Sequence, residues 1–124
     1  MSEKKSVLKD KSFAFAVLSV QLSREIMEKH KEFIMSKQLL RSGTSIGANI
    51  REAQNAESKN DFIHKLAISQ KETDETLYWL DLLKETNYID KEVHLKMVDE
   101  ATQLLKMIRS SILTIKQKRN SHNL

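Results

Sequence analysis

The sequence has no cysteine and no proline, and it has only two glycines among 124 residues. Without cysteine, the chain has neither disulfide bonds nor thiolate ligands for a metal. A β-sandwich or β-barrel needs a turn every few residues and uses far more glycine and proline than this. The absences therefore favour an all-α domain. Hydrophobic residues at 40% and charged residues at 31% make a globular composition.

Long hydrophobic runs are also missing. No segment approaches the roughly 20 apolar residues that cross a bilayer, and the run from Phe13 to Leu18 is too short for a signal-peptide core. We therefore expect a cytoplasmic protein with no membrane partner. Its length predicts one domain over residues 1–124, with a core at about 9–116 and a polar basic tail at 117–124.

The first helix is predicted from about Lys9 to Lys29 and has two apolar stripes. One stripe consists of Phe13, Val17, Val20 and Met27. The nearly opposite stripe consists of Phe15, Leu18, Leu22 and Ile26. A helix on the outside of a monomeric bundle needs only one stripe. The second stripe predicts contact with another subunit or, alternatively, a central position within one chain, and the pattern does not decide which stripe is the core.

The second helix is predicted at residues 31–56. Its stripe consists of Leu39, Gly43, Ile46, Ile50 and Ala53. Within it, residues 42–49 (SGTSIGAN) are rich in small side chains and, taken alone, resemble a loop. Gly43 and Gly47 also have a phosphate-loop spacing, but no Gly-Lys-Ser/Thr follows and no strand precedes them. Because the stripe continues in phase, we predict a helix whose small residues let another helix approach closely.

The third helix is predicted to begin after Ser58, which with Asp61 outlines a capping box, and to run to about Thr86. Its main face consists of Phe62, Leu66, Leu77 and Leu80, with Ser69, Thr73 and Thr76 among them. Those hydroxyls are expected to donate to backbone carbonyls one turn back. A second stripe consists of Ile68, Trp79 and Leu83. It predicts that this helix too is covered on two sides.

The fourth helix is predicted to begin after Asp90, a favourable N-cap residue, and to fade at about Lys116. Its stripe consists of Val93, Met97, Ala101, Leu104, Leu105, Ile108, Ile112 and Ile115. Short connections between four helices favour antiparallel neighbours. The predicted fold is therefore an all-α, up-down-up-down four-helix bundle that associates with copies of itself.

Motifs for chemistry are weak. Asp61-x-x-His64 is the nearest approach to a di-metal site, and such sites need two Glu-x-x-His motifs and two further Glu residues. No nucleophile elbow surrounds any serine. We therefore expect no catalytic residues, no metal and no cofactor, although a sequence does not reveal buried acid pairs.

Positive charge is concentrated in the first half of the chain, where residues 1–60 have a net charge of +4 and residues 61–124 a net charge of zero. A basic surface is predicted from Lys29, Lys31, Lys37, Arg41, Arg51 and Lys59. Lysine and arginine contacts to phosphates give a salt-sensitive affinity for nucleic acid. The alternative is an ordinary solvated face with mixed ion pairs. No aromatic stacking platform is evident, because Tyr78 and Trp79 lie among acidic residues.

Three segments carry a family resemblance: residues 36–50 (SKQLLRSGTSIGANI), 58–62 (SKNDF) and 75–80 (ETLYWL). Together they resemble the four-helix-bundle proteins of the 23S rRNA intervening-sequence protein family, and the likeness extends from about Ser12 to Lys116. Accessory proteins of diversity-generating retroelements are similar. Those relatives form a basic pentameric barrel that binds nucleic acid and partners a reverse transcriptase.

The resemblance implies a homopentamer of antiparallel four-helix bundles and raises the expectation of nucleic-acid binding. By match to the family segments, Arg41 and Arg51 are the candidate phosphate contacts. Lys37 and Lys59 lie in the same matched segments. The resemblance implies no catalytic residue. These cations are alternatively structural, with Arg51 paired to Glu52 or Glu57, for example.

Three functions follow as hypotheses. The first is a non-enzymatic oligomer that binds structured RNA or DNA through backbone phosphates. The second is a protein-interaction scaffold or accessory subunit that presents its surface to a protein partner and binds no nucleic acid. The third is a bundle enzyme or metal carrier.

Overall fold

A computed structural model describes the backbone of residues 3–122 and the side chains of residues 7–118. This part of the chain contains four helices and no strand. They are α1 (Glu3–His30), α2 (Met35–Gln54), α3 (Lys59–Glu85) and α4 (Lys91–His122). The prediction of an all-α chain with four helices is confirmed.

Each helix lies against two others. Helix α1 packs on α2 and α4, and α3 also packs on α2 and α4. Every helix therefore occupies one corner of the arrangement and turns one flank towards the centre. The core runs the length of the helices. Its largest fully buried apolar side chains are Phe15, Ile26, Leu39, Ile46, Ile50, Leu66, Leu80, Leu83, Leu104 and Ile108.

The two apolar stripes of α1 have different environments. The inner face (Phe15, Leu18, Leu22 and Ile26) is buried apart from the partly buried Leu18, and Phe15 and Ile26 are each 1% exposed. The outer face (Phe13, Val17, Val20 and Met27) is more open, with Phe13 60% and Val17 40% exposed and with Val20 and Met27 partly buried. The structure thus assigns the core to the stripe that contains Phe15. Within one chain α1 is not central, because Phe13 and Val17 on its outer face remain exposed.

The small residues of α2 lie where α1 crosses closely. A Cβ atom on Gly43 would overlap the Ser19 hydroxyl and lie 2.7 Å from Ser19 Cβ. One on Gly47 would lie 3.2 Å from the backbone oxygen of Ser12. Each glycine costs a helix about 1 kcal/mol relative to alanine, and here the cost permits close packing. The prediction of a continuous helix with a close neighbour is confirmed.

Helix α2 begins four residues later than predicted. Lys31 adopts a left-handed backbone conformation, with φ of 54°, which stops α1. The Glu32 carboxylate then accepts hydrogen bonds from the backbone N–H groups of Ile34, Met35 and Ser36, at 2.7–2.9 Å. Partial burial alone would raise the pKa of Glu32, but these hydrogen bonds outweigh it and lower the pKa. A side chain outside the helix therefore caps its first turn.

Helix α3 begins as predicted. The Ser58 hydroxyl accepts a hydrogen bond of 3.0 Å from the Asp61 backbone N–H. Thr73 donates to the carbonyl one turn back, at 2.8 Å, as expected. Ser69 instead donates across to the Ile46 carbonyl of α2, at 2.9 Å. Buried hydroxyls thus also join α3 to α2.

The second stripe of α3 does not form a separate buried face. Leu83 is fully buried and belongs to the core, whereas Ile68 and Trp79 are partly buried. The reason is angular: Leu83 lies about 60° from Leu80, within the width of one apolar stripe, and Ile68 lies far around the helix.

Helix α4 begins as predicted and ends later. The Asp90 carboxylate accepts a hydrogen bond of 2.8 Å from the Val93 backbone N–H. The helix continues to His122 rather than fading at Lys116. Its last turns contain no glycine or proline, so nothing in the local sequence stops the helix. The final part of the predicted tail, residues 123–124, lies outside the described residues.

Candidate nucleic-acid interface

The four predicted cationic residues are all exposed on α2 and the start of α3. Lys37 and Arg41 lie one turn apart in the first half of α2, Arg51 lies in its last turn, and Lys59 is the first residue of α3. Their surroundings differ, because Arg41 is paired with carboxylates and the other three make no ion pair with a described side chain.

Arg41 is bound to α3 by two carboxylates. Its guanidinium pairs with Glu72 at 3.0 Å and also with Glu75. Glu75 also accepts a hydrogen bond of 3.0 Å from the Trp79 indole N–H. An arginine held by two carboxylates has little positive field left for a third anion. Its geometry is that of a clamp between α2 and α3.

The same cluster holds a carboxylate in its charged form. The hydrogen bond from Trp79 lowers the pKa of Glu75, and the charge and hydrogen bond of Arg41 lower it further. Desolvation acts in the opposite direction and does not outweigh them. A group whose pKa is lower in the folded chain stabilises the fold above its unfolded pKa. That contribution is lost as the pH falls through the folded pKa. The clamp is therefore complete at neutral pH.

Arg51 has a different setting. It lines a groove of about 370 Å³ between α1 and α2, together with Lys9 and Phe13. The groove floor consists of small side chains contributed by Ser12, Ala16, Thr44, Gly47 and Ala48. Glu52 lies at the same groove but pairs at 3.7 Å with Lys65 of α3. The suggested pairing of Arg51 with Glu52 or Glu57 does not form, and no described carboxylate lies within 4.0 Å of Arg51.

Lys37 and Lys59 are also exposed, and neither makes an ion pair with any side chain among residues 7–118. Lys59 lies at a cleft that Phe62 and Ile115 also line, beside the connection between α2 and α3. With Arg51, these two lysines are the candidate residues whose charge is left for a ligand.

The structure does not gather the four candidates into one cluster. Arg41 and Arg51 are ten residues apart on α2, which places them about 80° apart around the helix and about 15 Å along it. Arg41 points to α3, whereas Arg51 lines the groove with α1. Any phosphate contacts are therefore spread along the bundle.

Two features of this surface were not predicted from the sequence. The clamp was not predicted, because Glu72 and Glu75 follow Arg41 by 31 and 34 positions and contact it only after α2 and α3 pack. An exposed aromatic ring beside cations was also not predicted, since Phe13 was assigned only to an apolar stripe. The four-residue spacing of Lys9 and Phe13, one turn of helix, was the available signal.

No group of three or more His, Cys, Asp or Glu in the described part of the chain is arranged to hold a metal. His64, from the Asp61-x-x-His64 motif, is exposed. Among the helices described, none is both long and apolar enough to cross a membrane.

Comparisons with known proteins agree with this fold. Residues 4–110 match the family model of the 23S rRNA-intervening sequence protein. A crystal structure from Bacteroides thetaiotaomicron, of a protein with unknown function from the S23 ribosomal protein family, is 52% identical in sequence. The match covers 88% of this chain and 97% of that one, with a TM-score of 0.87. No curated protein matches the chain. Since the family model spans most of its length, the chain belongs to the 23S rRNA-intervening sequence protein family.

Proposed function

We propose that this chain is a non-enzymatic bundle protein of the cytoplasm that assembles with copies of itself and binds structured RNA or DNA through backbone phosphates. The observation that carries the proposal is the set of exposed cations without a described carboxylate partner, Lys37, Arg51 and Lys59. Such cations release counterions from a nucleic acid, which gives affinity without sequence preference.

Contacts between helices support an antiparallel course. Ser69 bonds Ile46, and Thr76, seven residues later on α3, lies 2.9 Å from Ser42, four residues earlier on α2. The same reversal relates α1 to α2, where Gly43 meets Ser19 and Gly47 meets Ser12. An up-down-up-down bundle with short connections accounts for both registers.

The outer face of α1 supports self-association. A monomer leaves Phe13 and Val17 in water, and a partner helix laid along them would bury an apolar stripe. The family resemblance implies that five chains close a ring. A ring multiplies the net charge of +4 per chain, and its clefts focus the field on an approaching polyanion.

The experiment is a fluorescence-anisotropy titration of an RNA hairpin against salt, with Arg51→Gln and Arg41→Gln as a matched pair on one helix. Arg51→Gln is expected to weaken binding and to reduce the slope of log affinity against log salt by about one. Arg41→Gln is expected to lower the urea midpoint, because Glu72 and Glu75 lose their partner, and to leave the slope unchanged.

Binding by the wild-type chain that is indifferent to salt would contradict the phosphate mechanism. An oligomer that binds no RNA or DNA at any salt concentration would favour the second candidate, a protein-interaction scaffold. The outer face of α1 is the observation that favours it, because an exposed apolar stripe also suits a protein partner.

A further inference from the structure

The second half of α4 has cations and no acidic residue. Five Lys and Arg residues lie after position 100, namely Lys106, Arg109, Lys116, Lys118 and Arg119, and no Asp or Glu follows Glu100. The first ten residues of the helix contain three acids and two lysines. The zero net charge of residues 61–124 therefore hides a separation, with about five units of negative charge before position 101 and five of positive charge after it.

These cations are open to solvent. Lys106, Arg109, Lys116 and Lys118 are all exposed. Among the side chains of residues 7–118, none offers them a carboxylate within 4.0 Å. No ion pair has to be broken before such a cation contacts a phosphate.

Three of the four share one flank of α4. Lys106, Arg109 and Lys116 fall within an arc of about 80° and span about 15 Å along the helix axis. The opposite flank consists of core residues such as Leu104 and Ile108. The packing of α4 thus turns a row of positive charges outwards.

Neighbouring helices add cations at the same end of the bundle. Lys11 of α1 donates a hydrogen bond of 2.8 Å to Gln103 of α4. Ile115 of α4 lines the cleft at which Lys59 of α3 also lies. Lys59 therefore adds positive charge beside the acid-free half of α4 (residues 101–122), at a cleft that Glu57 also lines. It does not extend the row, because Ile115 lies on the other side of the helix from Lys106, Arg109 and Lys116.

We propose that the acid-free half of α4, through Lys106, Arg109 and Lys116, is a docking surface for the phosphate backbone of double-stranded RNA. This rests on the proposed function and locates its main contact. Residues 101–118 contain no aromatic side chain on which an unpaired base would stack. The exposed flank has one large apolar residue, Leu113, whereas a membrane-surface helix needs an apolar face. A surface with positive charges and no aromatic ring can bind the phosphates of a duplex but offers unpaired bases nothing on which to stack.

The test uses the full chain, a fluorescent RNA hairpin and two matched double variants. Lys106→Gln with Lys116→Gln removes two cations from the acid-free half. Lys91→Gln with Lys96→Gln removes two exposed lysines from the other half of the same helix, with the same change in charge. Circular dichroism checks that both variants keep their helices, as expected for exposed lysine-to-glutamine changes.

The double variant of Lys106 and Lys116 is expected to weaken binding and to reduce the salt slope by about two, whereas that of Lys91 and Lys96 leaves the slope unchanged. Equal losses in the two variants would overturn the proposal, because net charge alone would then explain binding.

Salt-sensitive binding that survives in the Lys106 and Lys116 variant but is lost in Arg51→Gln would also overturn it, while the proposed function stands. A wild-type chain that binds vesicles of anionic lipid and no RNA would overturn both. Preference for a single-stranded RNA of equal length would overturn the assignment to duplex RNA.

Discussion

The two faces of α1 contain similar side chains and have opposite surroundings. Phe15 on the inner face is 1% exposed, and Phe13, two residues earlier, is 60% exposed. Hydrophobicity alone does not separate them, since both are phenylalanine. What separates them is α2, whose glycines let the inner side of α1 pack closely, whereas Phe13 lies at the edge of this contact and stays largely exposed. The inner face thus stabilises the fold, and the outer face remains available for assembly.

The largest difference is expected from truncating the two phenylalanines. Phe15→Ala removes a fully buried ring and should cost about 3–5 kcal/mol, a large fraction of the stability of a single domain. Phe13→Ala, measured on the dissociated chain, should change stability by about 0.5 kcal/mol or less. Urea denaturation followed by circular dichroism measures both, and equal losses would remove the distinction between the faces.

A second test concerns the contact between the inner side of α1 and α2. Gly43→Ala places a Cβ atom 2.7 Å from Ser19 Cβ, and the forced separation should cost about 1–3 kcal/mol. Gly47→Ala, whose nearest contact is 3.2 Å, should cost less, because alanine also favours the helix.

Adding Ser19→Gly to Gly43→Ala removes the clash and should recover part of the stability in the same urea titration. No recovery would mean that the glycine is required for another reason.

A smaller gain is expected at Ser23, also on the buried side of α1. Its hydroxyl is the one buried side-chain polar atom without a hydrogen-bond partner among the described residues. Ser23→Ala should therefore stabilise the chain by about 1 kcal/mol. Ser19→Ala is the matched control, because the Ser19 hydroxyl donates to the Phe15 carbonyl at 2.9 Å. Thermal unfolding that ranks Ser19→Ala above Ser23→Ala would contradict this account.

The smallest effect on the fold is expected from Val17→Glu on the outer face. Its side chain is already 40% exposed, so the dissociated chain should keep its helices and lose about 0.5 kcal/mol or less. The assembly should dissociate, because a charge would be buried between subunits. Leu22→Glu, on the inner face, should unfold the chain at every concentration. Val17→Glu that leaves the oligomer intact would remove the outer face from the interface.

The helices and their buried stripes were predicted well from the sequence, because the spacing of apolar residues and the capping residues lie within or next to each helix. Leu39, Ile46 and Ile50 of α2 are buried as expected, and Ser58 and Asp90 cap as expected. The predicted start of α2 was wrong, because Glu32 caps the helix from a loop whose course depends on the left-handed backbone conformation of Lys31. Which stripe of α1 forms the core also depended on packing.

The candidate interface was harder to predict, because the availability of a cation depends on its distant neighbours. Arg41 and Arg51 are alike in sequence terms, yet Arg41 meets Glu72 and Glu75 only after α2 and α3 pack, and Arg51 meets no described carboxylate. The acid-free half of α4 was present in the sequence from the start. A charge count over the whole second half concealed it.

The most direct test of assembly and phosphate binding together is light scattering after size exclusion, with and without an RNA pool, at low and high salt. We predict a mass of five chains of 14.4 kDa each, and we expect this oligomer to take up RNA at low salt and release it at high salt. A single-chain mass would contradict the role assigned to the outer face of α1, and an oligomer that ignores RNA would contradict phosphate binding.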